Sequence, residues 1–195
     1  MDYLFFGLLF FGALAALAAV LGIKGQDRRG VWESAAENLG LTYSGDQIVG
    51  DFEGARLSVE IIVRGGSDFR ETFTVFTFQL NQNIPDKLAI TRQGFLGSLS
   101  KLIGAQDIQV GLPDIDSVLL FKGENVHEVK AWAQQETVAR GLRNLIALKD
   151  VTFKLEDGDL IFERAEEMSV LEDVEQFIRQ FSAIALRLSP SNIRP

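Results

Sequence analysis

Hydrophobic residues follow three different patterns along this chain, and the first is an uninterrupted apolar run. It extends from Tyr3 to Ile23, and no charged residue occurs within it. At about 1.5 Å rise per residue, a helix over this run reaches roughly 30 Å, the hydrocarbon thickness of a bilayer. The run therefore predicts a transmembrane helix over residues 1–23.

The charges that flank this run predict its orientation. Asp2 precedes it, whereas Lys24, Arg28 and Arg29 follow it in a basic linker over residues 24–30. A secretory signal peptide would instead place basic residues before a shorter apolar core. By the positive-inside rule we expect a bacterial inner-membrane protein with its amino terminus outside and its remaining chain in the cytoplasm. The basic residues are expected to meet lipid head groups.

Small residues form one face of the predicted span. Gly12, Ala16 and Ala19 recur at three- and four-residue steps, and such spacing lets a second helix approach closely. These residues predict packing with a membrane-protein partner or self-association, while a simple anchor is the alternative. The alanine-rich stretch over residues 13–19 also contains spacings that a signal peptidase accepts, so cleavage stays open.

The second pattern is strand-like, and it dominates the first half of the predicted cytoplasmic domain, residues 31–190. Segments rich in Val, Ile, Phe and Thr are separated by turn residues, which indicates that three or four strands in succession form an antiparallel meander. The predicted strands are Gln47–Phe52, Arg56–Val63, Arg70–Leu80 and Leu88–Thr91. The third of these strands is apolar on both alternating sets of positions, so we expect helices to cover both of its faces.

The third pattern is helical periodicity. A short helix is predicted over Val31–Leu39, and Trp32 within it could lie at the membrane interface or in the core of the domain. A long helix is predicted over Val126–Leu148. Ser169 and Glu172 have the spacing of a capping box, and the apolar stripe that follows predicts a C-terminal amphipathic helix packed on the sheet.

A β-hairpin is predicted between the last two helices. Asp157–Gly158 is a strong signal for a two-residue type I′ turn. Such a turn pairs Leu155 with Leu160 and Phe153 with Phe162 on one face of the hairpin. The predicted fold class is therefore α+β: one N-terminal transmembrane helix, then an antiparallel sheet covered by helices, a late hairpin, a C-terminal helix and a tail over residues 191–195.

Composition narrows the function classes. The formal net charge of −8 argues against a nucleic-acid partner, and the lack of Cys excludes disulfides and thiolate metal sites. A single histidine, His127, cannot form a multi-histidine metal site. No Ser/His/Asp order or dinucleotide fingerprint occurs, so we assign no catalytic residue, no metal site and no cofactor.

An acidic loop is the remaining candidate for chemistry. Its carboxylates are Asp107, Asp114, Asp116 and Glu124. Carboxylate oxygens are ligands for Ca²⁺ and Mg²⁺, but the spacing does not match an EF-hand. A solvated acidic loop is the favoured interpretation.

The second half of the chain resembles a group of bacterial, often membrane-anchored domains of unknown function. The resemblance is carried by the segment GLPDIDSVLLFKGEN, the helix that begins with His127–Glu128, the DGDLIF hairpin and the closing helix. Ile115–Asp116 stands where that group has an aromatic residue before Asp. The resemblance implies an α+β domain and no activity.

Two function classes follow from this interpretation. The first is a non-catalytic accessory or assembly subunit of a bacterial inner-membrane complex, for example an energy-converting one. The second is a membrane-tethered module that binds a cytoplasmic protein or ligand through the sheet or through the acidic loop. A hydrolytic or metal-dependent activity is a third alternative.

Overall fold

A computed structural model describes residues 28–66, 69–80, 83–94 and 107–190, and within these ranges the protein is an α+β fold. The described helices are α1 (Arg28–Leu39), α2 (Pro113–Asp116), α3 (Val126–Ala133), α4 (Glu136–Ala147) and α5 (Leu171–Leu188). The described strands are β1 (Thr42–Ser44), β2 (Gln47–Phe52), β3 (Ala55–Gly65), β4 (Arg70–Gln79), β5 (Ala89–Arg92), β6 (Asp107–Ile108), β7 (Leu119–Lys122), β8 (Thr152–Glu156) and β9 (Asp159–Arg164).

These strands form one antiparallel sheet in the order β1-β2-β3-β4-β9-β8-β5-β7-β6. The predicted meander is confirmed for β2 to β4, which pair as sequential neighbours. Of the two predicted sizes, three or four strands, the smaller is correct, because the β8–β9 hairpin lies between β4 and β5. Aromatic residues stabilise that insertion, since Phe76 of β4 lies directly opposite Phe162 of β9.

The hairpin prediction is confirmed in detail. Leu155 lies opposite Leu160 and Phe153 opposite Phe162. Asp157 and Gly158 have φ angles of 54° and 86°, and positive φ at both central residues is the requirement of a type I′ turn. The sequence signal and the backbone therefore agree.

The longer helices form a layer on one face of this sheet. α5 contacts β3, β4, α1 and α4. Its Phe181 stacks on Phe162 with ring centroids 4.0 Å apart and meets Phe76 edge-to-face at 5.1 Å. Because Phe76 and Phe162 belong to the same alternating set, this set defines the helix-covered face. The other set defines what we call the open face.

The predicted cover on both faces of β4 is only partly realised. Phe76 and Phe78 are buried on the helix-covered face, and Val75 is buried on the open face. Phe73 and Thr77, which share the open face with Val75, are half-buried. The described helices thus leave apolar groups of β4 accessible there.

Two helix predictions need correction. The long helix over Val126–Leu148 is divided into α3 and α4, because Gln135 has an extended backbone with ψ 132°. Side-chain contacts hold this break, since Gln134 Nε2 donates to the carbonyl oxygen of Val110 at 2.8 Å. The N-cap of α5 is Val170 and lacks a side-chain cap, so the predicted Ser169 capping box is wrong.

The transmembrane part of the predicted fold is also corrected. Among the residues that the structure describes, no helix is both long enough and apolar enough to cross a membrane. The longest, α5, carries charged residues on its exposed side, including Glu172, Asp173 and Arg179, and charges are costly in hydrocarbon. The segment predicted to span, residues 1–23, lies outside the described ranges.

Candidate ligand-binding site

A pocket of about 460 Å³ lies at one end of the sheet. Volumes of this size fall within the range of small-molecule sites, roughly 300–1,000 Å³. Its lining combines three apolar side chains, two threonines, three cations and one carboxylate. The lining residues are Phe73, Phe153, Ile161, Thr91, Thr152, Arg64, Arg92, Lys154 and Glu163.

The strand register brings these residues together. Thr91 lies opposite Lys154, and Lys154 lies opposite Ile161, so one row crosses β5, β8 and β9 on the open face. In the next row Thr152 lies opposite Glu163. Most of the lining therefore belongs to the alternating set that faces away from α5.

Arg64 and Glu163 form one wall of the pocket. The two Nη atoms of Arg64 each donate to a carboxylate oxygen of Glu163 at 2.7 Å. The same guanidinium lies 4.7 Å from the centroid of the Phe73 ring, a distance at which a cation is attracted to an aromatic face. The ion pair thus fixes the position of an aromatic side chain at the edge of the pocket.

The ion pair also sets the charge of Glu163. The hydrogen bonds from Arg64 lower the pKa of this carboxyl group, and they outweigh the opposite effect of burial. The positive charges of Arg64 and Lys154 act in the same direction. Glu163 is therefore an ion-paired carboxylate at neutral pH, and a carboxylate with a lowered pKa is a poor general base.

Arg92 borders the pocket from the helix-covered set of β5, since the preceding Thr91 belongs to the open face, and it connects this edge of the pocket to the end of α4. One Nη atom of Arg92 donates to the carbonyl oxygens of Leu145, Ile146 and Leu148, at 3.3, 3.0 and 2.8 Å. A cation is favoured here because the last carbonyl groups of a helix lack partners and carry partial negative charge. The guanidinium also lies 5.3 Å from the centroid of the Phe153 ring.

Lys154 lies on the open face, in one row with Thr91 and Ile161. Its Nζ atom is 3.2 Å from Glu156 Oε2, and 28% of its side chain is exposed. An ammonium group has three donors, and this contact accounts for one of them. Lys154 can therefore donate to a ligand while it keeps its bond to Glu156.

No protein-family model, curated protein or solved structure matches the chain. Within the described ranges, no group of three or more His, Asp or Glu residues could hold a metal ion. The pocket hydroxyls belong to Thr91 and Thr152, and His127 is not among the lining residues.

The residues predicted for helix packing, Gly12, Ala16 and Ala19, lie outside the described ranges, as does Lys24. Arg28 lies 3.8 Å from Asp46 and 3.6 Å from Glu167. Arg29 forms an ion pair with Glu33 at 2.8 Å.

Trp32, the fourth residue predicted at the membrane interface, belongs to the core. Its side chain is fully buried, and Nε1 donates to the carbonyl oxygen of Met168 at 2.9 Å. A buried indole needs a partner for its N–H group, and the segment between β9 and α5 supplies it. The alternative interpretation of Trp32 as a core residue is therefore confirmed.

The carboxylates of the acidic loop have partners within the protein. Asp114 accepts from Arg143 at 2.6 Å, Asp107 lies 3.7 Å from Lys122, and Glu124 pairs with Lys87. Asp116 accepts from the main-chain N–H groups of Val110, Gly111 and Leu112 at 2.8, 2.8 and 3.1 Å. These contacts hold the loop together, so its acidity has a structural explanation.

The pocket is not predicted by the sequence patterns described above, although one signal for it is present. Apolar residues on both alternating sets of β4 predicted that the second face would also be covered. The half-buried Phe73 is one of those residues, and it lines the pocket. An apolar residue on the less covered face of a sheet was therefore the available indication of a binding surface.

Proposed function

We propose that this protein is a non-catalytic binding module that holds a small ligand in the pocket on the open face of its sheet. The observation that carries the proposal is the pocket of about 460 Å³, which has Phe73 and Ile161 on the open face in its lining. Ligand sites are mainly apolar cavities with a few fixed polar groups. This lining has both properties.

The polar groups of the pocket favour binding over catalysis. Glu163 is held as an ion-paired carboxylate by Arg64, and Arg92 donates to main-chain carbonyl groups. Nucleophilic catalysis needs an activated nucleophile beside a base. The hydroxyl groups of the described lining belong to two threonines, and the described lining contains no histidine that could serve as their base. These groups position and orient a ligand.

The test is binding to the full-length chain by calorimetry. The probes are decanol below its solubility limit, and decanoate and decylamine below the concentrations at which they form micelles. We expect saturable binding of at least one probe. Thr152→Trp should abolish it, because Thr152 is an exposed residue of the lining and the larger side chain would fill the pocket.

Thr42→Trp is the matched control. Thr42 is also an exposed threonine in a strand, but it lies in β1 at the far edge of the sheet and outside the pocket. Binding should survive this change. Absence of saturable binding for all three probes, or equal loss of binding in both variants, would contradict the proposal.

The other predicted function, an accessory or assembly subunit of a bacterial inner-membrane complex, rests on residues outside the described ranges. It stays a prediction, as does the inner-membrane location.

A further inference from the structure

A two-stranded arm extends from one end of the sheet. β3 pairs with β2 only as far as Val59, and β4 pairs with β9 only from Thr74 onward. Beyond these positions, residues 62–65 of β3 and 70–73 of β4 pair with each other alone. Within the described ranges, no further strand pairs with either edge of this segment, which we call the β3–β4 arm.

Apolar side chains are exposed near the tip of the β3–β4 arm. Val63 is 58% exposed, and Phe69, the residue just before β4, is 62% exposed. Gly65 closes the tip tightly, because its φ angle is 128° and a Cβ atom there would collide with the carbonyl oxygen of Phe69. The arm is also fastened to β9 by the two hydrogen bonds from Arg64 to Glu163. These apolar side chains are therefore held in position.

The arm lies at the end of the sheet where the amino-terminal part of the chain enters. Arg28, the first residue of α1, lies 3.6 Å from Glu167. The hydroxyl group of Thr74, at the base of the arm, donates to the carbonyl oxygen of Glu166 and accepts from the N–H group of Met168. The start of α1 and the base of the arm thus contact the same short segment between β9 and α5.

The exposed large apolar residues of the described chain are concentrated at this end. They are Val63, Phe69 and Val170, and Val170 follows directly after the segment that contacts both α1 and the arm. Apolar residues scattered singly over a surface need no explanation, whereas a concentration of them indicates contact with a protein or a membrane.

The sequence before Arg28 favours the membrane. It contains the apolar run Tyr3–Ile23, in which no charged residue occurs, followed by Lys24. An uncharged run of this length favours lipid over water, and basic residues beside it are attracted to anionic head groups. A bilayer surface is therefore the environment expected next to this end of the domain.

We infer that the β3–β4 arm docks end-on on a lipid bilayer, with Phe69 and Val63 between head groups and acyl chains. Removal of these two side chains from water provides the attraction. The exposed charges of the arm, Arg70 and Glu71, remain among the head groups. The contact orients the sheet relative to the membrane. This goes beyond the proposed function and does not depend on a ligand in the pocket.

The test uses a tryptophan at the tip of the full-length chain. Phe69→Trp is added to vesicles of phosphatidylcholine and phosphatidylglycerol in which part of the lipid carries bromine near the top of its acyl chains, since bromine quenches only a tryptophan close to it. The unchanged chain gives the background from the buried Trp32 and Trp132. Because interfacial apolar groups lie roughly 5–10 Å deep, we expect the added fluorescence to fall by about half or more.

Gln79→Trp is the matched control, because Gln79 is exposed at the opposite end of the same strand. Its added fluorescence should stay nearly unchanged. Introducing Val63→Asp into the Phe69→Trp chain should weaken the quenching by about twofold or more, because it removes apolar area and adds a charge that hydrocarbon disfavours. Thr42→Asp, an exposed change in β1, should leave the quenching intact.

Three results would overturn membrane docking of the arm. One is equal quenching of Phe69→Trp and Gln79→Trp. The second is a Phe69→Trp chain that brominated lipid does not quench but that is protected from aqueous iodide, because a second copy of the chain or another protein then covers the arm. The third is the same chain open to iodide, because water then surrounds the tip.

Thermal unfolding verifies that each variant is folded. If Val63→Asp does not fold, the comparison of Phe69→Trp with Gln79→Trp decides the question. Failure of the calorimetric probes to bind would overturn the proposed function and leave the docking of the arm unaffected.

Discussion

At the scale of single residues, the most informative contact is the ion pair between Arg64 and Glu163. It has two hydrogen bonds of 2.7 Å and is shielded on one side by Phe73. The side chain of Glu163 is 21% exposed, but that of Arg64 is 47% exposed. Solvent therefore screens the pair, and we expect it to stabilise the fold by only about 0.5–1 kcal/mol.

The contribution of this pair to stability should depend on pH. Arg64 lowers the pKa of Glu163 in the folded protein. The Glu163 carboxylate is therefore protonated less readily in the folded state than in the unfolded state. The ion pair contributes its full stabilisation above the ordinary glutamate pKa of about 4.3. This contribution is lost as the pH falls through the lowered pKa of Glu163 in the folded protein. Glu163→Gln should lower the free energy of unfolding at neutral pH and have little effect near pH 2.

Urea unfolding of both proteins at the two pH values measures this difference. Glu37→Gln, an exposed change on α1, should have an effect within about 0.5 kcal/mol at either pH. A destabilisation by Glu163→Gln of the same size at both pH values would show that the carboxylate charge is not responsible.

At the scale of elements, the crossing of α4 and α5 depends on a glycine. A Cβ atom at Gly141 would lie 3.0 Å from Arg187 Cβ and 3.0 Å from Leu188 Cδ2. Leu188 is fully buried, and its carbonyl oxygen accepts a hydrogen bond from Trp132 Nε1 at 3.1 Å. The neighbouring helix is therefore held in place and has little room to move.

Gly141→Ala should destabilise the protein by about 1 kcal/mol. Overpacking costs about 1–3 kcal/mol, and the better helix propensity of alanine offsets up to about 1 kcal/mol of it. Gly30→Ala provides the control with the opposite sign, because no atom lies within 4 Å of its Cβ position. The free energy of unfolding of Gly30→Ala should rise by up to about 1 kcal/mol. Thermal unfolding measures the stability of the two variants. If Gly141→Ala also stabilises the protein, α4 and α5 do not cross as closely as described.

Elements with local signals were predictable from the sequence. The β8–β9 hairpin follows from Asp157–Gly158, and the buried stripe of α5 follows from its three- and four-residue steps. The break between α3 and α4 was not predictable, because neither Pro nor Gly marks it. Distant partners decide it, namely Val110 for Gln134 and Leu188 for Trp132.

At the scale of the whole molecule, Phe162 connects the two parts of the sheet. It lies opposite Phe76 of β4 and Phe153 of β8, and it stacks on Phe181 with the ring planes 7° apart. Truncation at this position therefore disturbs the β1–β4 meander, the hairpin and α5 together.

Phe162→Ala should lower the free energy of unfolding by about 3–5 kcal/mol. We expect circular dichroism and tryptophan fluorescence to give the same urea midpoint, because the buried Trp32 and Trp132 report on α1 and α3 of one cooperative unit. Phe69→Ala, at a residue that is 62% exposed, should change stability by less than about 0.5 kcal/mol. Separate midpoints for the two probes would mean that the parts unfold independently.

Neither the order of the strands nor the pocket could be predicted from the sequence, and one reason explains both. Each depends on β9 lying beside β4, and the residues that meet there are far apart in the chain. Thr91, Lys154 and Ile161 come from three different strands, and nothing in the alternation of any one strand distinguishes them from other strand residues. Only the register of the complete sheet brings them into one lining.

The position of β9 also determines the order in which the sheet can be completed during synthesis. The β1–β4 meander precedes the rest in the chain, yet β4 remains an unpaired edge until the ribosome has added Arg164. Phe78 lacks the ring of Phe162 until β9 follows, and Phe76 lacks the ring of Phe181 until α5 follows. The growing chain therefore exposes one edge and the apolar side chains of β4 during much of translation. Exposed strand edges of this kind can pair with the wrong strand or be bound by chaperones.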